Sequence, residues 1–224
     1  MVNDQSAENA DRGQAQPNPA AVAFVTTEHF TLQGARAATV AESTGRATMF
    51  LSAVSGGLVA LGLIGTAAGV GRPFYAFGLI LLPTLAFVGI VTFDRVLQSG
   101  IEDHDYAGRI ARLRGYYFRH APELVDHLLS VPEAERLRIQ GLRAGPFQKF
   151  VTVAGMVSVI TAVLAGSSAG LIAAVVSTSR LAAGVVAGVI VAAATLVVLM
   201  RVQTAAWRKA ASIDRALSDD EVQH

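Results

Sequence analysis

Residues 150–200 read FVTVAGMVSVITAVLAGSSAGLIAAVVSTS, then Arg180, then LAAGVVAGVIVAAATLVVLM. A spanning helix needs roughly 20 apolar residues to cross about 30 Å of hydrocarbon. Both halves of the stretch reach that length, with 30 uncharged residues over 150–179 and 20 over 181–200. The arrangement has an earlier counterpart. Residues 47–71 give 25 uncharged positions, Arg72 follows, and 73–93 give 21 more. Buried helices of soluble domains seldom run so far without a charge. The four windows predict an all-α integral membrane protein, a four-helix transmembrane bundle made of two hairpins. The first window does not read as a signal peptide. It follows a polar segment and exceeds the roughly 7–15 residues of a secretory apolar region.

Working outward, the composition agrees. The 224 residues are 52% hydrophobic and 16% charged, with a mean hydropathy of +0.47. A soluble domain carries about 25% charged residues. The absence of cysteine excludes a disulfide scaffold, a zinc ribbon, thiol catalysis and cysteine-held iron–sulfur chemistry. A net charge of +1 supplies no general attraction to nucleic acid. Arginine far outnumbers lysine, the usage of a GC-rich bacterial genome.

The basic residues predict orientation, because positive charge stays cytoplasmic. Arg12, Arg36 and Arg46 precede the first window. Arg95, Arg109, Arg112, Arg114, Arg119, Arg136, Arg138, Arg143 and Lys149 lie between the hairpins, and Arg201, Arg208, Lys209 and Arg215 follow the last. The two tips hold only Arg72 and Arg180. The expected location is a bacterial cytoplasmic (inner) membrane, with both termini and the middle segment inside. The organisation is then 1–25 a disordered cytosolic tail, 26–46 a cytosolic or interfacial helix capped by Thr26 or Thr27, and 47–97 the first transmembrane hairpin. A cytosolic helical cap over 98–149, the second hairpin over 150–200 and a cytosolic C-terminal helix and tail over 201–224 complete it.

Within the windows, glycines recur four apart: Gly65 with Gly69, Gly166 with Gly170, Gly184 with Gly188. Residues four apart share a helix face, and small residues let helices approach where lipid removes most of the hydrophobic gain. These pairs are expected to pack helices, within a bundle or between copies. Pro83 should kink the second span. No Asp, Glu, Lys, Arg or His lies in any window, which argues against proton- or ion-coupled transport. Ser52, Ser55, Thr66, Thr84, Thr92, Thr161, Ser167, Ser168 and Thr195 either line a passive path or bond to carbonyls of their own helices.

In the cap, Tyr106, Ile110, Leu113 and Tyr117 follow helical spacing and form a candidate partner-binding stripe. Arg109, Arg112, Arg114 and Arg119 are candidate contacts to anionic lipid or phosphate. Short helices are expected over 123–129 and 132–142, the latter capped by Ser130 with Glu133. Glu123 with His127, and Glu102 with His104 and Asp105, fall short of a metal site, which needs three or four converging ligands. No phosphate loop, nucleophile elbow or H-E-x-x-H motif occurs, so neither an enzyme nor a cofactor is expected.

The N-terminal helix reads TTEHFTLQGARAA from Thr26. It is followed by a span pair, a basic helical middle and a second pair. This order resembles uncharacterised four-span integral membrane proteins of actinomycete bacteria. Over about 48–120, the hairpin and following helix are similar in architecture to the SLATT-type membrane effectors, which implies a pore-forming role. Two functions are therefore expected: a homo-oligomeric passive pore or membrane effector, or a membrane-anchored scaffold whose cap binds a cytosolic protein.

Overall fold

The computed structural model of the chain describes residues 19–120, 152–177 and 181–222, the side chains of 115–120 and 214–222 excepted. It is all-helical, with α1 Pro19–Ala68, α2 Arg72–His120, α3 Val153–Val176 and α4 Leu181–Val222. All four are long and apolar enough to cross a membrane. The expected cap helices over 123–129 and 132–142 lie outside the described residues, as do Glu123, His127 and the tail before Pro19.

The first helix starts earlier than Thr26. It is already helical at Pro19, the first described residue. Thr26 and Thr27 are not caps. Their hydroxyls donate to the carbonyls of Val22 and Ala23 at 2.8 and 2.9 Å, inside the helix. The helix then continues without a break into the first apolar window.

α1 ends at Ala68, and the φ of +71° at Gly69, just past it, is left-handed. Only glycine adopts that conformation without strain. The turn is closed by the Gly71 amide donating to the Gly69 carbonyl at 3.0 Å, and Tyr75 donating to Gly71 at 3.1 Å. α2 carries Pro83 in its interior yet runs on to His120. The proline leaves the Leu79 carbonyl without its amide partner but does not end the helix. At the start of α3, the Thr152 hydroxyl accepts from the Gly155 amide at 3.0 Å, a helix cap.

The chain forms two compact units: Met1–Ala38 with His104–Leu142, and Thr39–Asp103 with Arg143–His224. In the first, Leu32 and Ile110 are buried. The second holds all four apolar segments around one core. Ala47, Phe50 and Val54 of α1 meet Leu82, Leu85, Phe93 and Val96 of α2, Val157 and Leu164 of α3, and Leu199 of α4.

Close glycine contacts fix the directions in this second unit. Gly57 faces Leu81 and Leu85, and Gly65 faces Phe74, so α1 and α2 run antiparallel. Gly78 faces Leu171 and Gly89 faces Thr161, so α2 and α3 do too. Gly166 meets Gly188 and Gly170 meets Gly184, which makes α3 and α4 antiparallel as well. The two hairpin tips therefore share one end of the unit. Residues near 46, 94, 152 and 201 share the other.

Burial shows why this unit needs lipid. Between 11% and 33% of each apolar window is buried inside the chain. Met49, Leu63, Ile80, Phe87, Val189 and Ile190 each leave more than half of their surface uncovered. Monomeric soluble proteins rarely expose apolar patches on that scale; a helix apolar around its whole circumference is either buried in a protein core or spans a membrane, and the low burial of these windows leaves the second.

Candidate functional site

The α3·α4 seam is built from bare backbone. A methyl group placed on Gly166 would sit 2.5 Å from the Gly188 carbonyl oxygen and 2.7 Å from Ala192 Cβ. One on Gly170 would lie 2.9 Å from the Gly184 carbonyl, and the reverse distance is the same. Gly166, Gly170, Gly184 and Gly188 are thus used within one copy. Gly65 and Gly69 do not form the expected pair. Gly69 lies beyond the helix with nothing within 4 Å, while Gly65 stands 3.4 Å from the Phe74 ring. The helical period that would put them on one face stops at Ala68.

Beside the seam lies a crevice of about 620 Å³, walled by Phe74, Tyr75, Leu82, Val163, Val185 and Val189 and floored by the same glycines. Ser167 opens onto it.

The hydroxyls of the windows divide into two groups. Thr66, Thr84, Thr92, Thr161 and Ser168 donate to carbonyls three or four residues back, at 2.7–3.0 Å. Ser52, Ser55, Ser167 and Thr195 make no hydrogen bond to a described residue. Two of these four stand on the outer side of α1. At about 100° per residue, Gly45, Thr48, Ser52, Ser55, Gly56, Val59, Gly62, Leu63 and Thr66 fall within roughly 120° of arc. Ala47, Phe50 and Val54 lie across the helix and face the core. Gly45, Gly56 and Gly62 have nothing within 4 Å of where a side chain would begin. A helix facing only lipid has no need of small and hydroxylated residues on that side. Sequence alone leaves Ser52, Ser55 and Thr66 as separate hydroxyls; their shared face emerges once the core face of α1 is known.

The end away from the tips is polar. Arg46 Nε and Arg95 Nη2 both donate to Glu42 Oε1, at 2.9 and 3.1 Å, which ties α1 to α2. Those two hydrogen bonds hold the Glu42 carboxyl below its ordinary range. Gln98 continues the chain, accepting from Arg95 at 3.0 Å and donating to Asp94 at 2.7 Å. Gln203, 2% exposed, donates to the Thr152 hydroxyl at 3.4 Å. That pair joins α3 to α4 across 51 residues, and local sequence gives no sign of it.

In the first unit, the stripe on α2 is already covered at its centre. Ile110 is 4% exposed, and Tyr106 and Leu113 are half-buried. The side chain of Tyr117 lies outside the described residues, as does that of Arg119. Arg109 pairs with Asp105 at 3.0 Å on the surface, and Arg112 is also engaged. Burial and the Arg114 charge push the His29 imidazole below its usual value. With Asp105 turned to Arg109, Glu102 and His104 gain no third ligand; no metal-type cluster of three occurs among the described residues.

No protein-family model, curated protein or solved structure matches the chain.

Proposed function

We propose that the chain is a non-enzymatic multi-pass membrane protein that acts as a homo-oligomeric passive pore or membrane effector. The observation that carries this reading is the outer face of α1. Its glycines permit backbones of neighbouring copies to approach, and the Ser52 and Ser55 hydroxyls offer water hydrogen bonds that lipid cannot. The interior of a single copy is filled by Phe50, Phe93, Val157, Ser158 and Thr161, all essentially inaccessible. A lumen therefore belongs between copies. The absence of Asp, Glu, Lys, Arg and His from the windows favours passive conduction over coupled transport. The likeness in order of parts to SLATT-type effectors points the same way. The distribution of arginines supports a bacterial inner membrane with both termini cytoplasmic.

A scaffold acting through Tyr106, Ile110, Leu113 and Tyr117 has less support, since the chain itself already covers Ile110.

Liposomes containing only this protein test the pore. Ion flux is expected. In a Ser55→Cys variant, a charged thiosulfonate reagent should reduce that flux. In Phe87→Cys, at a lipid-facing position 66% exposed, it should not. Tight vesicles at high protein density would refute the proposal.

A further inference from the structure

The outer surface of α4 carries a second feature, independent of the α1 face. Leu196, Val197, Met200, Arg201, Thr204 and Arg208 line one trough of about 300 Å³. Their spacing keeps them on a single side of the helix. The lower half is apolar and continues the uncharged run 181–200. The upper half begins where that run stops.

The two arginines are placed unusually for this end of the unit. Arg46 and Arg95 share the Glu42 carboxylate. Arg201 and Arg208 are exposed and have no carboxylate within ion-pair distance among the described residues. Seven residues separate them, about 10 Å along a helix. Arg208 closes part of that gap. Its Nε donates to the Thr204 carbonyl at 3.4 Å, which folds the side chain back along α4 toward Arg201. The terminal N–H groups of Arg208 have no partner among the described residues and can pair with a doubly accepting anion.

A trough that is apolar where the helix lies in hydrocarbon and doubly cationic where it leaves matches one kind of molecule. We infer that it docks an anionic phospholipid, with the phosphate held between Arg201 and Arg208 and one acyl chain lying along Met200, Val197 and Leu196. A soluble phosphate compound would leave the apolar half exposed. A zwitterionic lipid would bring its own cation to the two guanidinium groups.

The detergent-solubilised full chain is titrated with phosphatidylglycerol and phosphatidylcholine of identical chains, and bound lipid is counted by native mass spectrometry. A basic residue near the headgroups is worth about fivefold in anionic-lipid binding, so two predict a preference of roughly 30-fold for phosphatidylglycerol. Arg201→Gln with Arg208→Gln should bring the ratio close to one. Arg95→Gln should leave it high, because Arg95 already serves Glu42. The ratio is read within each sample, so a loss of folded protein does not mimic the effect. Equal retention of the two lipids by the unaltered chain would overturn the inference. So would a preference that survives the double substitution, or one that Arg95→Gln abolishes equally well. The measurement does not depend on whether the protein conducts ions.

Discussion

Adding one methyl group to each of three glycines should have three different consequences. At Gly166 the new carbon would stand 2.5 Å from the Gly188 carbonyl oxygen and 3.2 Å from the Ala192 Cα. Both are backbone atoms, so α3 and α4 must separate. Overpacking of this kind costs about 1–3 kcal/mol. At Gly57 the carbon would meet only the Leu81 and Leu85 side-chain ends, at 3.1 Å, and a leucine can turn away. That places the cost of Gly57→Ala at about 1 kcal/mol or less. At Gly62 nothing of the same copy lies within 4 Å, so in micelles that disperse the protein to single copies Gly62→Ala should be neutral, or stabilising by up to about 1 kcal/mol through helix propensity. Reversible unfolding in mixed micelles with increasing SDS, followed by the fluorescence of Trp207, ranks the three. The order of destabilisation should be Gly166, then Gly57, then Gly62. Gly166 and Gly188 share one contact, so Gly166→Ala with Gly188→Ala should cost less than the two singles added together. Equal shifts for Gly166→Ala and Gly62→Ala would refute the seam.

Two further outcomes follow from the polar end. Hydrogen bonds from Arg46 and Arg95 lower the Glu42 pKa in the folded chain, so its stabilisation is complete above the ordinary carboxylate range and disappears as pH falls through the lower folded value. Unfolding midpoints between neutral and acid pH should therefore fall more for the unaltered chain than for Glu42→Gln, weakly because the pair is exposed and salt screens it; parallel slopes would contradict this. Thr152→Ala removes the cap of α3 and one partner of Gln203, and should destabilise by about 1–2 kcal/mol in the same assay, whereas no change would show the cap to be dispensable.

The spans were legible because lipid imposes a coarse rule. Every polar backbone group must be satisfied locally, so long uncharged helical runs announce themselves. The α3·α4 glycines could be read as well, since spacing of four defines a face on any helix. The same rule misassigned Gly69, because spacing does not reveal where a helix stops; a left-handed turn needs glycine just as a seam does. The stripe around Ile110 illustrates another limit. Periodicity identifies an apolar face without saying whether a partner or the chain itself covers it. Thr26 offered a cap and instead bonded back into a helix already under way at Pro19, since a threonine hydroxyl serves either role. The contact between Gln203 and Thr152 was beyond sequence reading, because it depends on how two helices are brought side by side.

The most direct test of the account is the sidedness of the chain, made simple by its lack of cysteine. Single substitutions Ser6→Cys, Val70→Cys, Ser179→Cys and Ser218→Cys are labelled in intact cells and in inverted vesicles with a thiol reagent that does not cross membranes. Positions 70 and 179 should react only from outside, and positions 6 and 218 only from inside. Reaction of positions 6 and 218 on opposite faces, or of 70 and 179 from the cytoplasm, would contradict four spans with both ends on one side.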